Sequence, residues 1–133
     1  MKIGCIQLNV RFGKVEENFE RAEACIREAA AKGAELVVLP EMWNTGYALK
    51  QLGEIADKDG ARTKQFLKSL ATELNIHIVG GSVAVKRGDK FYNTMYVVDN
   101  TGEFVGEYSK AHLFRLLDEH LYLDAGDEMN NFS

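Results

Sequence analysis

Three segments place a charged side chain just beyond an apolar stretch, where a folded sheet would present it. The first is Leu39-Pro40-Glu41, which follows the run Glu35–Leu39. A carboxylate past the C-terminal end of a parallel strand stands where open α/β sheets hold their ligands. Proline restricts the backbone there, so the carboxylate is aimed. Such a group can take a proton from a nucleophile, although a solvated loop glutamate fits the same residues. The second is Tyr108-Ser109-Lys110. Its ammonium group could face a developing oxyanion, and a plain surface lysine is the alternative. The third is Asp118-Glu119-His120, with His112 upstream. These side chains offer oxygen and imidazole donors. Their spacing is not that of a zinc motif such as HExxH. A polar helix or loop face explains them as well, and no metal or organic cofactor is expected.

The cysteines read differently. Cys5 falls inside an apolar run and Cys25 beside the apolar stripe of a helix. Both fit small core residues, and burial would make a thiol inert. Neither is placed like a nucleophile. Trp43 and Tyr47 follow Glu41 in the same loop. They either line a pocket, with Tyr47 the candidate substrate contact, or cap the core. Gly80-Gly81 is not a phosphate loop, since no Lys-Ser/Thr follows.

The elements that must position these groups are legible in outline. Lys2–Leu8 (KIGCIQL) reads as a buried strand. Val15, Phe19, Ala22, Ile26 and Ala29 recur at three and four residues, which predicts an amphipathic helix from about Val15 to Lys32, stopped by Gly33. Glu35–Leu39 is a second strand, completing a βαβ unit with parallel pairing. The segment from Pro40 to about Asp59 reads as irregular. A second helix spans Thr63–Leu74, with Phe66, Leu67, Leu70, Ala71 and Leu74 on one face. Ile76–Val85 is a strand with Gly80-Gly81 in its middle. A turn around Gly88-Asp89 leads to a strand over Phe91–Asp99, and a turn at Asn100-Thr101-Gly102 leads to a last strand over Glu103–Tyr108. The order is β-α-β-α-β-β-β. The fold class is α/β: a mixed sheet with helices on one face, whose other face needs a cover.

Composition narrows the function classes. The chain has 133 residues, of which 46% are hydrophobic and 27% charged, the mix of one globular domain. Sixteen basic against twenty acidic residues give a net charge of −4, which argues against a nucleic-acid partner. No apolar run approaches the roughly 20 residues of a membrane span. The start MKIGCIQLNV lacks the pattern of a secretory signal. Two cysteines without a CxxC spacing suit a reducing cytoplasm.

Taken in order, the segments resemble the nitrilase superfamily, the carbon–nitrogen hydrolases. The strand KIGCIQLNV, the helix with Glu17-Asn18 near its start and the block ELVVLPEMWNTGY (Glu35–Tyr47) are similar to that family's first half. So are NTMYVVDNTGEFVGEYSKAHLF (Asn93–Phe114) and the stretch from Glu119 to Gly126-Asp127. The resemblance implies that Glu41 is the general base. It implies that Lys110 stabilises the tetrahedral intermediate, and that Glu119 positions the other groups and the substrate. His112 and Phe114 belong to the pattern without a catalytic role. It further implies an αββα sandwich that dimerises, and a nucleophilic cysteine that neither Cys5 nor Cys25 matches.

The expectation is therefore an amidase-type hydrolase of small linear amides, present here as a single truncated domain over residues 1–133. This is the N-terminal half of the sandwich, inactive alone for want of its cysteine. Two other readings stand beside it. One is a non-catalytic binding or assembly module, a homo-oligomer associating through the exposed sheet face. The other is a complete small hydrolase that uses Cys5 or Cys25.

Overall fold

The computed structural model describes residues 1–109. The expectations for Lys110, His112, Phe114, Asp118, Glu119 and His120 lie outside the described residues. The elements are β1 (Ile3–Cys5), α1 (Val15–Ala31), β2 (Leu36–Val38), a short 3-10 turn (Leu49–Gln51), α2 (Leu52–Ile55), β3 (Asp57–Lys58), α3 (Ala61–Leu74), β4 (His77–Val79), β5 (Val83–Arg87), β6 (Lys90–Val98) and β7 (Phe104–Ser109).

One mixed sheet holds all seven strands, in the order β1-β2-β4-β6-β5-β3, with β7 also paired to β6. β1, β2 and β4 are parallel, and Gly4, Val37 and Ile78 lie side by side across them. β6 then runs antiparallel to β4, to β5 and to β7. The expected strand over Ile76–Val85 is thus one run along β6 that breaks in its middle. From Val79 to Val83 is four steps, while their partners Val97 and Thr94 are three apart. The extra residue is taken up as a bulge at Gly80–Ser82.

The periodic helices fold where their apolar stripes require. Phe19, Ala22 and Ile26 of α1 are buried, as are Leu67, Leu70 and Ala71 of α3. They cover the sheet face that carries Val37, Ile78, Val83, Val85, Tyr96 and Val98. Phe19, Trp43 and Phe66 form a ring cluster with centroids 4.8 to 5.5 Å apart. Arg62 of α3 reaches Glu16 of α1 through two bonds of 2.7 and 2.9 Å, and its guanidinium lies over the Phe19 ring. At α3's start Asp57 accepts the N–H groups of Arg62 and Thr63, supplying the cap that Gly60 cannot.

Three expectations are corrected. The first strand is three residues long, and its outward side chains are exposed instead of buried. β1 is the edge of the sheet, and Ile3 and Cys5 point away from the helices. Cys5 is therefore exposed and Cys25 half-buried, so neither is a core residue. The segment after Pro40 is not irregular throughout: it holds α2 and β3, both too short to show a period in sequence.

On the face opposite the helices, Cys5, Val38, Val79 and Val97 form a row across four strands, and none is fully buried by the described residues. No helix among those residues is long and apolar enough to cross a membrane.

Tyr96 is buried to 1% exposure beneath α3. Burial pushes its phenol up from 10.0 to about 12. Between those values the phenol is neutral in the fold and ionised once unfolded. This part of the stability is complete below the unfolded value and is lost as pH rises to the folded one. Melting curves taken from about pH 9 to about pH 12 should fall more steeply for the parent chain than for Tyr96→Phe.

Candidate functional site

The site begins where β2 ends. Leu39 still donates to the Val79 carbonyl at 2.9 Å. Pro40 then ends the pairing, and the chain turns across the bulge between β4 and β5. Four bonds fasten it there. The Pro40 carbonyl accepts from Ser82 N at 3.2 Å, and Trp43 N donates to the Ser82 carbonyl at 3.1 Å. Met42 N donates to Ser82 Oγ at 2.9 Å, and Trp43 Nε1 donates to the Gly80 carbonyl at 2.8 Å. Gly81 makes this approach possible. Its φ is +60°, and a Cβ there would lie 2.1 Å from the Pro40 oxygen. Met42 is fully buried at φ 51°, a conformation that a non-glycine residue keeps only when its surroundings hold it.

Asparagines complete the fastening. Asn44 uses its side-chain amide as a strand would, donating to the Ala84 carbonyl at 3.2 Å and accepting from Ala84 N at 3.0 Å. Asn18 of α1 donates to the Asn44 carbonyl at 2.9 Å. It also exchanges bonds of 2.7 and 2.8 Å with the backbone of Arg11. Asn18 and Asn44 are each 1% exposed. A buried amide must be paired, so these residues specify the course of the loop.

Glu41 is presented at the top of this loop. Its Oε1 accepts from Tyr47 Oη at 2.9 Å and from Asn93 Nδ2 at 3.1 Å. It faces a cavity of about 470 Å³ on the sheet face away from the helices. Ser82, Asn93, Met95 and Tyr108 share that cavity. Among the described residues, its donors are these two neutral groups, and a carboxylate so held at the mouth of a largely apolar cavity can exchange a proton with a bound reactant.

The expected residues divide clearly. Glu41 is exposed, but it accepts two side-chain hydrogen bonds and lines the cavity. Trp43 caps the core. Tyr47 donates to Glu41 itself, which places it on the carboxylate. Cys5 and Cys25 both border a separate cavity of about 300 Å³ at the β1 edge of the sheet, which shares no lining residue with the cavity at Glu41. Among the described residues, no group of three His, Cys, Asp or Glu side chains is placed to hold a metal ion.

Sequence reasoning missed Asn44, Asn93 and Ser82. A signal existed for Asn93, which with Thr94 interrupts a largely apolar strand. Asn44 and Ser82 gave none, because their work depends on which backbone lies across from them.

The carbon–nitrogen hydrolase family model matches residues 2–132. The chain is 49% identical over 130 residues to a 2-oxoglutaramate amidase of Bacillus subtilis, covering 98% of this chain and 50% of that protein. It is 35% identical over 138 residues to a human omega-amidase, again covering 98% of this chain and 50% of the other. Among solved structures, a nitrilase-superfamily protein of Saccharomyces cerevisiae superposes with a TM-score of 0.86 at 28% identity, over 99% of this chain and 51% of that one. The chain spans about half the length of the relatives it matches.

Proposed function

Because this chain belongs to the carbon–nitrogen hydrolase family, we propose that it carries the general base of an amidase, with Glu41 in that role. The observation that carries the reading is the carboxylate itself. It leaves the end of a parallel strand, is held by Tyr47 and Asn93, and faces the cavity. A base has to stand within hydrogen-bond reach of the proton it takes, and this loop is built to keep it there.

The nucleophile in this reading is a cysteine thiol from outside these 133 residues, since Cys5 and Cys25 sit at another cavity. Glu41 takes the thiol proton as sulfur attacks the amide carbon. The carbonyl oxygen becomes an oxyanion, which Lys110 stabilises. Glu41 returns the proton to the nitrogen as the C–N bond breaks, and ammonia leaves. Water, deprotonated by Glu41, then cleaves the thioester to a carboxylic acid and the free thiol. Glu119 positions Glu41 and the substrate.

The relatives named omega-amidase and 2-oxoglutaramate amidase support a finer statement. The substrate is the terminal carboxamide of a short carboxylic acid. The test is ammonia release by the protein extended through the reading frame downstream of residue 133. A terminal amide of a short 2-oxo diacid should be turned over faster than a plain aliphatic amide and a nitrile. Equal rates would remove the substrate assignment, and no release from any of them would remove the amidase reading.

A further inference from the structure

Among the described residues, Glu41 is supported from two directions that differ in kind. Tyr47 belongs to the same loop, six residues on, and moves with it. Asn93 belongs to β6, in the interior of the sheet, and is 3% exposed. Both donate to the same oxygen, Oε1.

We propose that Asn93 is a positioning residue, which references the Glu41 carboxylate to the sheet and sets its rotation toward the cavity. This rests on the reading of Glu41 as the base. A glutamate side chain has three rotatable bonds, and a base displaced by about 1 Å loses much of its rate. A tyrosine on the same loop cannot correct that, because it shares the loop's movement. An amide on a buried strand can. Asn93 is also fixed by the loop's own anchor. Its partner across the strands is Ala84, and the N–H and C=O of Ala84 are both taken by Asn44 of the loop. The loop is therefore tied to two neighbouring strands at one level, to β5 through Asn44 on Ala84 and to β6 through Glu41 on Asn93. An amide suits the task chemically, because it donates without adding a charge that would compete with a substrate. Tyr108 is the other ionisable group lining the cavity among the described residues.

A merely structural asparagine would change stability alone. A positioning residue also changes how Glu41 titrates and how fast it works. The first arm follows the Glu41 side-chain carboxyl by carbon-detected NMR titration in the 133-residue chain, and needs no turnover. Asn93→Ala removes a donor to the charged form, so the midpoint should rise by about one pH unit against the parent chain. Asn93→Asp keeps the shape but places a second carboxylate there, and should raise it further. Tyr47→Phe removes the donor at the rim and is the comparison, and Asn93→Asp is the variant to read where Asn93→Ala folds poorly. The second arm measures the extended protein. There Asn93→Ala should lower kcat about tenfold with KM little changed, and move the acid limb of kcat/KM upward with the midpoint. Unchanged midpoints in folded Asn93 variants would overturn the proposal. So would a rise with Tyr47→Phe beside no rise in a folded Asn93 variant, because Tyr47 would then hold the carboxylate without help from the sheet. Shifted midpoints in a protein that releases no ammonia would leave the positioning intact and remove the amidase reading instead.

Discussion

Glu41→Gln in the extended protein is expected to lower kcat for amide hydrolysis by about 10²–10⁴-fold, with KM changed by no more than a few-fold. The reasoning is geometric. Gln at this position keeps a carbonyl oxygen where Oε1 now accepts from Tyr47 and Asn93. The loop should therefore keep its course and the melting temperature should barely move. What is lost is the ability to take and return a proton, which the proposed reaction needs twice. Steady-state kinetics beside a melting curve separate the two effects. A variant as active as the parent would show that the carboxylate is a structural group. A variant that is inactive and also unfolded would show that the substitution reached further than one proton.

Gly81→Ala should destabilise the chain by about 3 kcal/mol, combining left-handed strain with a backbone clash. The control is Gly88→Ala. Both glycines have φ near +60°, so an alanine at either carries the same conformational strain. Their surroundings differ. A Cβ at Gly88 meets nothing within 4 Å, whereas one at Gly81 would lie 2.1 Å from the Pro40 oxygen and 2.7 Å from Leu39 backbone atoms. Gly88→Ala should then cost about 1 kcal/mol. The excess at Gly81 measures how closely the Glu41 loop lies on the bulge. Denaturant unfolding of both variants reads it directly, and equal losses would show that the loop can lift away at little cost.

How much of this was legible in the sequence depended on the range of the interactions. α1 and α3 announce themselves, because their stripes of Phe19, Ala22 and Ile26 and of Leu67, Leu70 and Ala71 are local patterns matched to one buried face. The hairpin at Gly88-Asp89 is local too. β1 misled, since an apolar run looks the same in the middle of a sheet and at its edge, and only the strand order exposes Cys5. The stretch after Pro40 misled for a related reason. Its order comes from Asn44 on Ala84, Trp43 on Gly80 and Met42 on Ser82, contacts some 40 residues apart in sequence. Such pairings leave no period to read. Glu41 itself is singled out by its place after an apolar strand and a proline, and by the resemblance of the surrounding block to a known family. The residues that hold it are not, because a hydrogen-bond donor is recognised only once its acceptor is beside it. Lys110 and Glu119 remain expectations of that resemblance.

The central claim is that these residues carry a catalytic base whose nucleophile is neither Cys5 nor Cys25. Its most direct test is ammonia release from short terminal amides by the 133-residue chain beside the chain extended by the reading frame downstream. The account predicts release by the extended protein alone, abolished there by Glu41→Gln. Release by the 133-residue chain, lost on replacing Cys5 or Cys25 with serine, would contradict it.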